Sequence, residues 1–120
     1  MLNLEQQAHW CNEDGSKLND DDLAVKILDY AKTGGTIYVG ADSMYNNERG
    51  CYFASVIAFH NRKPDIADYF YKTIKIKSEK YKSLKIKILE EVNLALQAAN
   101  LVNAICEDAD IEVHIDIGTR

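Results

Sequence analysis

The chain has 120 residues, of which 47% are hydrophobic and 28% charged, a balance typical of a single soluble globular domain. No apolar run approaches the roughly 20 residues of a membrane-spanning helix, and residues 1–7 lack the basic and apolar segments of a signal peptide. The net charge of −5 argues mildly against a polyanionic partner. The charge is uneven, however, because seven lysines lie from Lys72 to Lys87, where Glu79 is the only acid.

Cysteine usage indicates a reducing compartment. The three cysteines are odd in number and widely spaced: Cys11, Cys51 and Cys106. This spacing favours reduced thiols in the cytoplasm over a disulfide framework. His9 lies close to Cys11, but nearly adjacent residues point in different directions, and no second ligand pair follows at zinc-finger spacing. We therefore expect no metal site there.

The first predicted element is a helix that follows a polar arm. Residues 1–18 show no periodicity, so we expect an N-terminal arm that Trp10 anchors onto a single domain at residues 19–120. Asn19 suits the helix N-cap, and the three acids after it suit the positive end of the helix dipole. Apolar residues then recur at helical spacing: Leu23, Ile27, Tyr30 and Ala31. The helix should end near Lys32, before two glycines.

Three strands follow, and their short connections favour an antiparallel meander. They are predicted at residues 36–43, 51–60 and 68–77. In the first strand Ile37 and Val39 share one face, and Asp42 lies on the other face at the strand's end. An aspartate at that position is either a turn-former or a ligand. The second strand is apolar on both faces, which is typical of a central strand.

The hydrophobic period then changes to that of a helix, from Tyr81 to about Cys106. Two neighbouring stripes are predicted to face the core: Leu84, Ile88, Ala95, Ala98 and Val102, and Leu89, Val92, Leu96 and Ala99. Glu91 falls within the first stripe, whereas Glu90 shares a wetter flank with Leu94. A carboxylate in an apolar stripe is costly unless it is paired or binds a cation. Glu91 is therefore either a metal ligand or a marginal residue that reaches solvent.

A fourth strand is predicted at residues 111–118, where aliphatic residues alternate with His114 and Asp116. The helix before it is a crossover, which favours parallel pairing with an earlier strand. The first strand is the natural partner, and Asp116 would then lie level with Asp42 on the same face. His114 shares that face and is either a plain sheet residue or a proton shuttle.

Three carboxylates from strand, helix and strand thus form a candidate site: Asp42, Glu91 and Asp116. Converging carboxylates repel one another, but they are hard oxygen ligands that suit Mg²⁺ or Mn²⁺. Metal ions held in this way serve phosphoryl transfer, because they activate water and neutralise the leaving oxygen. Nearby lysines are candidate phosphate contacts with nucleic acid: Lys72, Lys75 and Lys77. The alternative is that these lysines form a solvated face of an acidic protein.

With these elements in place, the chain resembles the ribonuclease-H-like fold, an α/β fold with a mixed sheet. The order is an N-terminal helix, three antiparallel strands, a helix and a fourth strand parallel to the first. Segments 39–43 (Val-Gly-Ala-Asp-Ser) and 114–118 (His-Ile-Asp-Ile-Gly) resemble the bacterial YkuK-like family, which carries Gly-Thr-Asp-Ser-Gln type and His-Ile-Asp-Ile-Gly motifs. The resemblance covers about residues 20–118. It implies a divalent-metal site of nuclease type at Asp42 and Asp116, with Glu91 as the helix acid.

The sequence departs from that family in two ways. Ala41 and Met44 stand where the family has Thr and Gln, which alters the polar surroundings of Asp42. Related domains continue through a helix, a fifth strand and a final helix that usually adds a fourth metal-binding residue, whereas this sequence stops at Arg120. We therefore expect a C-terminally shortened fold: either the chain is a fragment, or it is a shortened natural version, or a partner supplies the rest. A fourth strand uncovered on one face would expose apolar surface, which favours a homo-oligomer.

Two functions are compatible with these features. The first is a divalent-metal-dependent nuclease or phosphodiesterase of ribonuclease-H type, in which Asp42, Glu91 and Asp116 hold the metal. The second is a non-catalytic module of the same fold that binds nucleic acid or another protein, for which the acidic net charge and the absent fourth ligand argue. Divalent-metal binding separates the two.

Overall fold

A computed structural model of the chain describes residues 9–46, 50–62, 65–76 and 84–115. In chain order they form β1 (Trp10–Cys11), α1 (Asp20–Lys32), β2 (Thr36–Asn46), β3 (Gly50–Arg62), β4 (Asp65–Ile76), α2 (Leu84–Ile105) and β5 (Asp110–His114). Neither of the two helices described is both long and apolar enough to span a bilayer.

The strands form one mixed sheet in the order β1-β4-β3-β2-β5. Strands β2, β3 and β4 make the predicted antiparallel meander, with Val39 opposite Ile57 and Ile57 opposite Phe70. Strand β5 runs parallel to β2, as predicted, and Gly40 pairs with His114. The meander strands are longer than predicted, since β2 continues to Asn46 and β3 begins at Gly50. The predicted hairpin loop is correspondingly shorter, and residues 47–49 lie outside the described residues.

Strand β1 lies within the predicted N-terminal arm and was not expected. Trp10 pairs with Lys72, and Cys11 pairs with Tyr71. Trp10 and Leu18 are each 8% exposed and belong to the main hydrophobic core. Trp10 and Leu18 therefore anchor this segment on the core, whereas residues 13–17 between them are exposed. A two-residue strand is too short to show an alternating pattern, so periodicity could not reveal it.

Helix α1 begins and ends where its caps predict. The Asn19 side chain accepts a hydrogen bond from the Asp22 backbone N–H at 2.8 Å. At the other end, Gly34 has φ +80°, the left-handed conformation that glycine adopts without strain. Leu23 and Ile27 are 2% and 0% exposed, so the predicted apolar face is the one that packs on the sheet.

Helix α2 presents a narrower buried stripe than predicted. Its fully buried positions are Glu91, Leu94, Ala95, Ala98 and Val102. The prediction for the second stripe was wrong at Leu89 and Leu96, which are 60% and 48% exposed, and Leu94 is buried rather than on a wet flank. At 3.6 residues per turn, Leu89 and Leu96 lie nearly opposite Glu91 around the helix axis, away from the sheet.

Both helices pack on the same face of the sheet, which we call the helix face. Its residues belong to the core: Ile37, Val39, Ile57, Phe59 and Phe70, packed against Leu23, Ile27, Ala98 and Val102. Residues of opposite parity form the other face, which we call the open face: Tyr38, Gly40, Asp42, Val56, Tyr69, Tyr71, Glu112 and His114. Within the described ranges, neither helix covers the open face.

A polar cluster connects α1, β4 and the loop after β1. The Tyr30 hydroxyl donates a hydrogen bond to Asp68 Oδ2 at 3.2 Å. The pKa of Glu13 is raised above its ordinary value of 4.5, first by a hydrogen bond shared with the Asp68 side chain, then by desolvation and the Asp68 charge. The ionised form of Glu13 is therefore disfavoured beside the Asp68 side chain.

Ile27→Ala should destabilise the fold by about 2–5 kcal/mol, because it leaves a cavity at a fully buried position between α1 and the sheet. Val25→Ala is the matched control, since Val25 lies on the same helix and is 55% exposed. Denaturant unfolding monitored by circular dichroism measures both free energies of unfolding. Equal losses in the two variants would contradict the packing described for α1.

Glu13→Gln should raise the melting temperature at pH 7, because it removes a charge that opposes Asp68 and leaves an amide that can donate to it. The folded-state pKa of Glu13 is raised, so its contribution to stability is present below about pH 4.5 and is lost as the pH rises. The advantage of the variant should therefore grow from pH 4 to pH 7 in thermal denaturation scans.

Asp14→Asn is the control for this loop and should have the opposite sign. Hydrogen bonds from the Ser16 hydroxyl and backbone N–H lower the pKa of Asp14, so its stabilising contribution is present at neutral pH and is lost in acid. A Glu13→Gln effect that does not vary with pH would contradict the raised pKa of Glu13 beside Asp68.

Candidate functional site

Asp42 lies within β2, four residues before the strand's end at Asn46, and not at its tip as predicted. Its side chain is exposed, and its Oδ1 accepts a hydrogen bond from the Ser43 backbone N–H at 2.8 Å. In the sheet it stands opposite Ala54 of β3. By strand alternation Asp42 belongs to the open face, whereas Ser43 belongs to the helix face.

Glu91 is buried, with 3% of its surface exposed, so the alternative that it reaches solvent is wrong. It continues the apolar stripe of α2 one turn before Leu94 and Ala95. Its Oε1 accepts a hydrogen bond of 2.7 Å from the Ser43 hydroxyl. A hydrogen bond to an ionised carboxylate is stronger than one between neutral groups and offsets part of the desolvation of this acid.

Ser43 therefore contacts two of the three predicted carboxylates. Its backbone N–H donates to Asp42, and its hydroxyl donates to Glu91. The two acids approach it from opposite faces of β2, one exposed and one buried. Asp116 lies outside the described residues. Within the described part of the chain, no cluster of three or more His, Cys, Asp or Glu side chains is arranged to hold a metal ion.

An open concave site of about 570 Å³ lies beside Asp42, at the junction of β2 and β5. Gly40, Val56, Glu112 and His114 contribute to its walls. Gly40 permits the close approach of the two strands, because a Cβ at this position would lie 3.1 Å from the backbone oxygen of His114. The missing side chain also leaves room next to Asp42 on the open face.

His114 has a defined orientation in this concave site. Its Nε2 lies 3.0 Å from Glu112 Oε1, and the Tyr38 ring meets the imidazole edge-on with centroids 5.3 Å apart. The sequence analysis did not identify Glu112 as its partner. Their separation by two residues in a strand was the available signal, because such residues share a face. His114 and Glu112 are both exposed, so this imidazole can exchange protons with solvent or a ligand.

Of the three lysines predicted to contact phosphate, only Lys72 has a side chain among those that the structure describes. Lys72 is partly buried, and its Nζ lies 5.8 Å from the centroid of the Trp10 ring. It stands in register with Ser55, which pairs with Ala41, so it lies on the helix face about 10 Å across the sheet from β2. The backbone of Lys75, in β4, pairs with that of Tyr52, in β3. Lys77 lies outside the described residues.

Ser43→Ala should destabilise the protein by about 1–3 kcal/mol at pH 7, because it removes a hydrogen bond from a buried carboxylate. Chemical denaturation of the variant and the parent measures the difference. Ser16→Ala is a matched control, because the Ser16 hydroxyl donates to the exposed carboxylate of Asp14 at 2.6 Å, where water can replace it. A loss no larger for Ser43 than for Ser16 would show that the Glu91 bond adds nothing to stability.

Comparison with known proteins is consistent with this architecture at the level of the family. A family model described as Ribonuclease H-like matches residues 22–120, from the first turn of α1 onward. No curated protein and no solved structure matches the chain. The narrower resemblance to the YkuK-like family stays a prediction. Since the match spans most of the sequence, the chain belongs to the ribonuclease H-like family.

Proposed function

We propose that the protein is a divalent-metal-dependent nuclease or phosphodiesterase that acts on nucleic acid. Membership of the ribonuclease H-like family supports a role related to nucleic acid. The observation that carries the proposal is the contact of Ser43 with both Asp42 and Glu91. One residue thereby couples an acid exposed at an open concave site to an acid buried under α2.

The register of the sheet supports the inclusion of Asp116. In the β2–β5 ladder Thr36 pairs with Asp110, and these residues are 74 positions apart in the sequence. Asp42 and Asp116 are separated by the same interval. The described ladder ends at the pair Gly40 and His114, so the placement of Asp116 beside Asp42 is part of the proposal.

The donor set fits a hard divalent cation. Asp42, together with Asp116, would hold Mg²⁺ or Mn²⁺ through carboxylate oxygens, the ligands that these ions prefer. Glu91 approaches β2 from the helix face and would act on this site through Ser43, which contacts both acids. When bound, such an ion supplies the positive charge that activates a water molecule and neutralises the leaving oxygen of a phosphodiester. The exposure of Asp42 leaves this side of the site open to a phosphate group.

The chain's own residues would prepare the reaction in three ways. Ser43 orients the carboxylates of Asp42 and Glu91 through its two hydrogen bonds. His114, held by Glu112, can donate or accept a proton at the rim of the concave site. Lys75 and Lys77 remain the proposed phosphate contacts, whereas Lys72 lies on the helix face, away from Asp42.

Asp42→Asn should lower Mn²⁺-dependent cleavage of labelled RNA, DNA or hybrid substrates by at least about 100-fold, because the amide carries no charge for the cation. Initial cleavage rates with saturating Mn²⁺ measure the loss. Asp29→Asn is the matched control, since it makes the same change at an exposed position on α1. Cleavage by Asp42→Asn at the parental rate would refute the assignment.

Metal binding can be measured without activity. Mn²⁺ should raise the melting temperature of the parent and of Asp29→Asn by mass action, and it should raise that of Asp42→Asn much less. If Mn²⁺ and Mg²⁺ stabilise none of the three proteins and no substrate is cut, the enzymatic proposal fails. The non-catalytic binding module would then be the better description.

A further inference from the structure

A second cavity, of about 230 Å³, lies on the helix face between α2 and the strands beneath it. Ile74, Leu94 and Leu101 form much of its apolar wall, and Trp10 lies at its β1 side. Trp10 and Leu94 are buried, with 8% and 5% of their surfaces exposed. The cavity exceeds the roughly 150 Å³ that accommodates benzene in a protein core, so it has room for a small organic molecule.

One end of this cavity is polar. Lys72 and Ser55 both contribute to its lining and are paired on neighbouring strands, so their side chains stand next to each other on the helix face. Ser55 is 4% exposed, which turns its hydroxyl toward the interior. Gln97, on the exposed side of α2, adds an amide at the mouth. An ammonium, a hydroxyl and an amide thus face an otherwise apolar space.

The ammonium of Lys72 carries a charge without a carboxylate partner in the described part of the chain. The Lys72 Nζ atom lies over the Trp10 ring, 5.8 Å from the ring centroid. A cation–π contact of this kind contributes about 0.5–2 kcal/mol and leaves the charge of a partly buried ammonium uncompensated. The polar end of the cavity therefore favours an anion.

We infer that this cavity binds a small monocarboxylate with an apolar body. Its carboxylate would accept hydrogen bonds from Lys72 and Ser55, and its hydrocarbon would fill the space beside Leu94 and Leu101. One ammonium compensates one negative charge. A dianionic phosphate would leave a second charge against apolar walls, which is strongly unfavourable.

This cavity and the open concave site beside Asp42 are on opposite sides of the sheet. Asp42 lies on the open face, whereas Ser55 and Lys72 lie on the helix face, and the linings of the two sites share no residue among those described. Ligand binding in the cavity can therefore be measured independently of nuclease activity.

Hexanoate is a suitable probe, because it joins one carboxylate to a short apolar chain. Trp10 is the only tryptophan of the protein and lines the cavity, so its fluorescence should change saturably as hexanoate is added. Hexanamide has nearly the same shape without the charge and should bind at least about tenfold more weakly, as expected for loss of a charge-assisted hydrogen bond.

Lys72→Met keeps the aliphatic stem and removes the ammonium, and it should weaken hexanoate binding by about tenfold or more in isothermal titration calorimetry. Lys26→Met is the matched control. The ammonium of Lys26 also lies 5.8 Å from an aromatic centroid, that of Phe70, but Lys26 does not line the cavity. This variant should bind hexanoate as the parent does, and so should Asp42→Asn.

Equal affinity for hexanoate and hexanamide, unchanged binding by Lys72→Met, or no saturable response in the parent would each overturn the inference. If Lys72→Met does not fold, as judged by circular dichroism, the comparison of hexanoate with hexanamide on the parent decides. Because Asp42→Asn should retain hexanoate binding, loss of nuclease activity in that variant leaves this result unaffected.

Discussion

Strands β2 and β5 run parallel, so the chain must cross back along the sheet before β5 begins. Helix α2, which follows the meander, is this crossover segment. A helix in that position covers the central strands and buries its apolar stripe on them. It also brings Glu91 beneath β2, where Ser43 can reach it. The parallel pairing therefore determines both the core and the position of the buried acid.

Glu91 and Asp42 contact the same serine but differ in their exposure to water. A carboxylate that is 3% exposed in an apolar stripe loses most of its hydration, and the hydrogen bond from Ser43 replaces only part of it. Asp42 keeps its hydration at the surface and accepts a backbone N–H. One acid is buried against α2 and the other is exposed at the surface of the sheet.

Elements with strong local signals were predictable from the sequence. Asn19 capped α1, and the alternation of Ile37 and Val39 with polar neighbours identified β2 and its buried face. Helical spacing placed Glu91 in the apolar stripe but left open whether it reached solvent. The contact with Ser43 was not predictable, because the distance between β2 and α2 depends on packing and leaves no trace in the spacing of residues.

Other features required the folded chain. Leu89 and Leu96 matched an apolar stripe, yet they face away from the sheet. Apolar residues occur around much of α2, but the helix contacts the sheet on one side only. From the sequence, Lys72 was grouped with Lys75 and Lys77, as a phosphate contact or as part of a solvated face. Its pairing with Trp10 instead depends on β1, whose two residues carry no periodic signal.

Gly40 limits how the concave site can diversify. Any side chain there would press on the backbone of β5, at 3.1 Å from the His114 oxygen, so replacement would separate the strands before it altered the chemistry of the pocket. Glu112 and Val56 line the same space without that restriction. Changes in ligand preference, natural or engineered, would thus be easier at those two neighbours than at the glycine.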